Sequence, residues 1–222
     1  MNKIFISISL LPLFLLNTGC KNAAKKEDNN AEKQVAESIN YTPKSAVKDS
    51  LSKYIPDSTI NNKLIFDDDN STEKFYPDYK KLSYYDITAF SHPFILFVNK
   101  NISQYLIAYT YEGGTVNAFD CFETGYYKEN KKLDTLKYYR TNEQHFKTES
   151  DLGLGSSFEE IINKKGTGCK KAQIGNDLLI KYEIKDTSVS PFLQRYCMPS
   201  YFEKFYLRNN KAYKIIFGFG YP

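Results

Sequence analysis

Tryptophan is absent from this 222-residue chain, and only two histidines and four cysteines occur. Each scarcity excludes a class of chemistry. Neither His92 nor His145 has a Cys, His or Glu at metal-ligand spacing, which removes the sequence basis for a zinc site. No G-x-S-x-G elbow is present, and the glycine-rich stretch Gly153-Leu154-Gly155-Ser156-Ser157 lacks both the lysine of a P-loop and the third glycine of a dinucleotide fingerprint. That stretch therefore reads as a turn ahead of a helix. Charge of one sign is also scarce in excess: 30 basic against 26 acidic residues leave +4, with the two signs interspersed. A nucleic-acid footprint requires basic side chains clustered on one face, so no nucleic-acid partner is expected. Nothing implies a cofactor or a metal, and no positive signal for an enzyme emerges. The acidic turn Asp67-Asp68-Asp69-Asn70 reads as solvated, because an EF-hand loop starting at Asp67 requires Gly where Thr72 stands.

Long apolar runs are missing as well, apart from the almost unbroken segment Ile4 to Leu16 behind the positive start Met1-Asn2-Lys3. It is shorter than the roughly 20 residues that cross a bilayer, and it ends in Asn17, Thr18 and Gly19. This is the layout of a signal peptide over residues 1–19. Thr18-Gly19-Cys20 resembles the end of a bacterial lipobox, although Asn17 stands where an aliphatic residue is usual. The resemblance implies that Cys20 is lipidated and begins the mature chain. Three acyl chains would then hold it on a membrane, each buried CH₂ contributing about 0.8 kcal/mol. Lys21 occupies the position where Asp marks inner-membrane retention, so the outer membrane is the expected location. Whether that means its periplasmic or outer surface is left open. Residues 20–45 follow as a polar tether, since Lys21 to Ser50 carries six lysines and five acids with little to bury.

What is abundant is aromatic: 19 Tyr and 16 Phe make up 16% of the chain. Such residues favour strands, and residues 46–222 are expected to form one α+β domain, an antiparallel sheet with a few short helices. Apolar spacing predicts a helix over 46–55, and strands over 93–98, 104–111, 115–127, 136–140 and 144–148. Glu112-Gly113-Gly114 reads as a hairpin turn. Ser157 and Glu160 form a capping box for a two-turn helix that stops at Gly166 in the left-handed conformation. Asp177 to Lys185 alternates as a strand, and Asn209-Asn210 joins the two strands of a closing hairpin.

The run "LGSSFEEIINKKG" followed by strand and hairpin resembles the BamE and β-lactamase-inhibitor-protein-like fold over residues 146–222, leaving a β-rich part at 46–145. That resemblance implies an envelope lipoprotein that binds other proteins. In oxidising surroundings one disulfide is expected, and Cys169 with Cys197 is the favoured pair, each lying inside the proposed C-terminal subdomain. Cys121 in "FDCF" reads as a small packed residue with a nucleophile as the minor alternative. Tyr201, Tyr206 and Tyr213 of the closing hairpin are the candidate partner contacts. The expected function is a protein-binding module, with an immunity protein or inhibitor of a toxin or hydrolase, or an outer-membrane assembly component, as alternatives.

Overall fold

The computed structural model describes residues 54–84, 92–110 and 117–220. The expected helix at 46–55 and the turn at 112–114 lie outside them, except that Tyr54 and Ile55 are described and are not helical. In chain order the elements are β1 (Thr59–Ile60), β2 (Leu64–Ile65), α1 (Asp69–Phe75), β3 (Phe94–Val98), β4 (Gln104–Tyr109), β5 (Cys121–Tyr126), β6 (Tyr139–Arg140), α2 (Phe158–Lys165), β7 (Lys170–Ile174), β8 (Asp177–Ile184), α3 (Pro191–Tyr196), β9 (Ser200–Arg208) and β10 (Lys211–Gly220).

Eight strands make one sheet in the order β6-β3-β4-β5-β10-β9-β8-β7. All neighbours are antiparallel except β3 and β6, which pair in parallel through Phe97 opposite Tyr139 and Val98 opposite Arg140. The sheet is thus mixed, and the β-rich part and the helix-plus-hairpin part share it through the pairing of β5 with β10. Residues 144–148, expected as a strand, contribute only isolated bridges at Lys147 and Thr148. The acidic stretch before Ser71 is more than a turn: Asp68 accepts the Ser71 N–H at 3.2 Å and caps α1. Two short 3-10 turns, Tyr127–Glu129 and Lys131–Leu133, follow β5.

All three helices lie on one face of the sheet. Phe75 of α1, Ile161 of α2 and Leu193 of α3 are buried in a cluster with Phe97, Phe122, Ile180, Phe205, Ile215, Phe217 and Phe219 from five strands. α2 begins with the capping box its sequence announces, Ser157 Oγ accepting the Glu160 N–H at 3.2 Å and Glu160 Oε2 accepting the Ser157 N–H at 2.6 Å. It ends at Gly166 with φ +84° and ψ 175°, positive in φ but extended in ψ and so outside the left-handed helical region. The Gly166 carbonyl accepts the Tyr182 hydroxyl at 2.6 Å, which fastens the helix end to β8.

Within this apolar layer sits a buried ionic cluster. Lys165, in the last turn of α2, is 1% exposed, with its Nζ 2.6 Å from Asp57 Oδ2 and 3.1 Å from Glu203 Oε2 on β9. The ammonium also donates to the Ile55 carbonyl at 3.0 Å, so a neutral acceptor and two acidic side chains surround it. Asp57 Oδ1 accepts from the N–H and hydroxyl of Ser150 at 2.9 and 2.6 Å. Tyr54 donates to Glu203 Oε2 at 2.9 Å and stacks on Tyr182 at 4.6 Å. Burial drives the Asp57 carboxyl upward, but Lys165 and its hydrogen bonds outweigh this and hold it below the usual range. For Glu203 burial wins, and the neighbouring Asp57 adds to it, so its carboxyl titrates at about 8 despite Lys165. At neutral pH the cluster therefore holds one cation, one carboxylate and one carboxylic acid. Glu203 Oε1 and Asp57 Oδ2 are both buried without a hydrogen-bond partner among the described residues, and burying two such oxygens as full charges is costly, in keeping with the upward shift at Glu203.

The pH consequence follows from these two directions. A carboxyl whose pKa is raised on folding stabilises fully below its unfolded value near 4.5, and that contribution drains away as pH rises through 8. Asp57 works oppositely, losing its contribution only as pH falls below its depressed value. Thermal unfolding of the wild type is expected to move to lower midpoints between about pH 5 and pH 9, and Glu203→Gln to flatten that slope. Lys165→Met, which strands a buried carboxylate, should lose about 3–5 kcal/mol in urea unfolding at pH 7.

Candidate binding face

Alternation along each strand sends one set of side chains to the helices and the other set to the opposite face. Among the described residues, that opposite face is covered only at one end. There the segment carrying Tyr127, Leu133 and Leu136 packs on Phe94, Leu96, Tyr105 and Ile107 of β3 and β4. Beyond this cover, over β10, β9, β8 and β7, the half-buried side chains Leu179, Phe202, Tyr206, Tyr213 and Ile216 line the face, and every residue of β7 is exposed.

The pairing registers lay these side chains out in lateral rows. In the middle row Lys170 stands opposite Lys181, Lys181 opposite Lys204, Lys204 opposite Ile216, and Ile216 opposite Glu123. On one side runs Leu179, Tyr206, Lys214 and Gly125; on the other, Glu183, Phe202, Gly218 and Cys121. Glu183 is shared by three lysines, Lys181 at 2.7 Å, Lys170 at 3.0 Å and Lys185 at 3.4 Å, and these cations draw its carboxyl down to about 2. Lys204 has no carboxylate within ion-pair distance among the described residues. Its ammonium lies 4.8 Å from the Phe202 ring centre, and burial, with Lys181 and Lys214 nearby, holds its pKa below that of an ordinary lysine. Lys214 is likewise placed over the Tyr206 ring at 4.3 Å.

Where the covered part meets the open part there is a cavity of about 420 Å³ walled by Tyr105, Tyr109, Tyr126 and Tyr213. The Tyr105 ring fits there because Gly125 has no Cβ: one would lie 2.7 Å from the ring. The Tyr105 hydroxyl donates to Glu123 at 2.7 Å. At the rim Arg208 is held by Asp177 at 3.2 Å and Glu129 at 3.2 Å, and its guanidinium covers the Tyr213 ring at 4.4 Å.

Two of the three tyrosines expected as contacts belong to this face and the third does not. Tyr206 and Tyr213 are neighbours with ring centres 6.3 Å apart. Tyr201 is 1% exposed on the helix side, where its hydroxyl donates to the Asp57 carbonyl at 2.8 Å, so it is a core residue. Strand parity separates them: Tyr201 shares its face with Glu203, Phe205 and Leu207. The expected Cys169–Cys197 bridge is not formed, and the three described cysteines are free thiols. Cys169 packs against the core beside Tyr182, whereas Cys197 is the exposed, left-handed cap of α3, a helix the sequence reading did not anticipate. Cys121 is buried, and desolvation raises its thiol well above the usual range, which disfavours the nucleophilic thiolate. His145 faces Gln104 at 3.3 Å, and among the described residues no group of His, Cys, Asp and Glu is arranged to hold a metal. No described helix is long and apolar enough to cross a membrane.

No family model, no curated protein and no solved structure matches this chain.

Two outcomes test this placement. Tyr201→Phe should destabilise by about 1–3 kcal/mol, because the buried Asp57 carbonyl loses its donor, whereas Tyr206→Ala and Tyr213→Ala should retain the fold with smaller losses in urea unfolding. A thiol reagent should modify Cys197 rapidly in the folded chain and Cys121 only after denaturation, as followed by intact mass.

Proposed function

We propose that the chain is an envelope lipoprotein, held by lipid on Cys20 at the outer membrane, that works by binding a protein partner through the open face of its sheet. The observation that carries this reading is the uncovered half of that face. Tyr206, Tyr213, Phe202 and Ile216 sit there half-buried beside cations, and Tyr with cationic neighbours supplies large contact area at low entropic cost. The buried cluster around Lys165 is walled off from solvent and supports architecture instead of turnover. The stretch from α2 through β10 is read as the BamE-like part. The resemblance of its "LGSSFEEIINKKG" motif to inhibitor-like folds supports, as an alternative form of this reading, a partner that is itself a toxin or hydrolase, with this chain as the immunity protein or inhibitor.

Site-specific photocrosslinkers at Tyr206 and Tyr213 in the native envelope, with Tyr138 on the covered end as control, test the reading. One defined protein adduct at the first two positions, absent from the control, is expected; adducts equal at all three, or turnover of a small substrate or glycan with no protein adduct, would overturn it. Fatty-acid labelling abolished by Cys20→Ala tests the anchor separately.

A further inference from the structure

The geometry points to an acidic amphipathic helix of the partner as the element this face binds, laid across the strands along the row Lys170, Lys181 and Lys204. The inference rests on the protein-binding reading and narrows it. Three lysines stand directly opposite one another on three consecutive strands, where like charges repel; Glu183 offsets part of this through Lys170 at 3.0 Å and Lys181 at 2.7 Å but not at Lys204. Lys204 deepens the conflict, being half-buried and without a carboxylate in ion-pair range among the described residues. Lys214, one row away, adds a further cation whose described neighbour is the Tyr206 ring. A surface that keeps such a conflict in the free protein is relieved when carboxylates arrive from outside.

Spacing selects the shape of what arrives. Neighbouring strands lie about 4.8 Å apart, so the lysine row advances by that step across the sheet. Acidic side chains one turn apart on a helix recur every 5.4 Å or so, close enough for flexible lysine stems to meet them. The flanking rows select its composition. Leu179 and Tyr206 on one side and Phe202 on the other offer apolar contact to both shoulders of an acidic stripe. Glu183 and Glu123 at the edges oppose a uniformly anionic polymer or membrane, which would bring charge against them.

The probe is an 18-residue helical peptide with glutamates in one stripe flanked by Leu and Tyr, compared with a peptide of the same composition whose glutamates are spread around the helix. Titration into the chain from Cys20 onward, followed by calorimetry at low and high salt, should show the striped peptide binding at least tenfold more tightly than the scrambled one, and more weakly as salt rises. Lys204→Glu and Lys181→Glu should each weaken it at least tenfold, while Lys74→Glu on α1 leaves it unchanged. Equal binding of both peptides, no binding, indifference to Lys204→Glu, or preference for heparin or anionic phospholipid vesicles would each overturn the inference. A measurement without ligand stands beside it: Lys204→Ile should raise the thermal midpoint of the free protein, and a fall would make this lysine a structural device and overturn the inference. If the crosslinks at Tyr206 and Tyr213 persist while Lys204→Glu has no effect on them, the protein-binding reading survives and the acidic-helix inference falls.

Discussion

The contacts of Lys165 hold together parts of the chain that would otherwise have little reason to meet. Its ammonium joins the extended segment at Ile55 and Asp57, the end of α2 and the middle of β9, elements separated by more than a hundred residues at their extremes. An ion taken out of water is costly unless it is closely paired, and here the ammonium has a carbonyl at 3.0 Å and acidic oxygens of Asp57 and Glu203 at 2.6 and 3.1 Å. Pairing of that kind is intolerant of small shifts, so α2 has one register against the sheet. Tyr201 and Tyr54 extend the same network to the Asp57 carbonyl and to Glu203, which explains why aromatic side chains with hydroxyls, and not phenylalanine, occupy those two places.

With one face occupied by this network and by the helices, the other face becomes the variable one. The cover over Phe94, Leu96, Tyr105 and Ile107 is a single irregular segment, and it stops short of the last four strands. The edge strand β7 is exposed at every residue, with Lys171 reaching over the Phe158 ring of α2 at 4.5 Å. Its lysines act as the charged edge that discourages sheet-to-sheet association between copies. Further in, the same residue type at Lys181 and Lys204 has no edge to protect, which separates the role of the inner lysines from that of Lys170 and Lys171.

Local signals were legible wherever a few neighbouring residues settle the outcome. The Ser157–Glu160 box, the alternation of β8 and the Asn209–Asn210 turn, with φ of +49° and +62°, all appear as the sequence indicates. α1 was missed because an acidic N-cap and a solvated turn look alike until Ser71 and Thr72 are seen to be buried. α3 carries its own signal, Ser190 before Pro191 at the first helical turn, but six residues give too little periodicity to weigh against the polar surroundings. The parallel pairing of β6 and the Lys165 cluster depend on partners far away in sequence, and a lysine in "INKKG" carries no local mark of burial. The lysine row has the same character: each member is an ordinary strand lysine until three registers are combined.

One local irregularity decides what the open face displays. Pairing of β10 with β9 slips by one residue between Ala212 and Lys214, so that Tyr213 is the extra residue of a bulge. Had the ladder continued without it, Tyr213 would oppose Tyr206 and Lys214 would oppose Phe205, driving a lysine into the core and Ile215, Phe217 and Phe219 out to solvent. With the bulge, Ala212, Ile215, Phe217 and Phe219 are buried, while Lys214 stands opposite Tyr206 and Tyr213 lies against the same ring. The hydrophobic pattern of β10, K-A-Y-K-I-I-F-G-F-G, has the matching break in parity between Ala212 and Ile215. The apolar demand of the core therefore requires the bulge, and the bulge in turn delivers two aromatic rings and a cation to one spot on the face left uncovered.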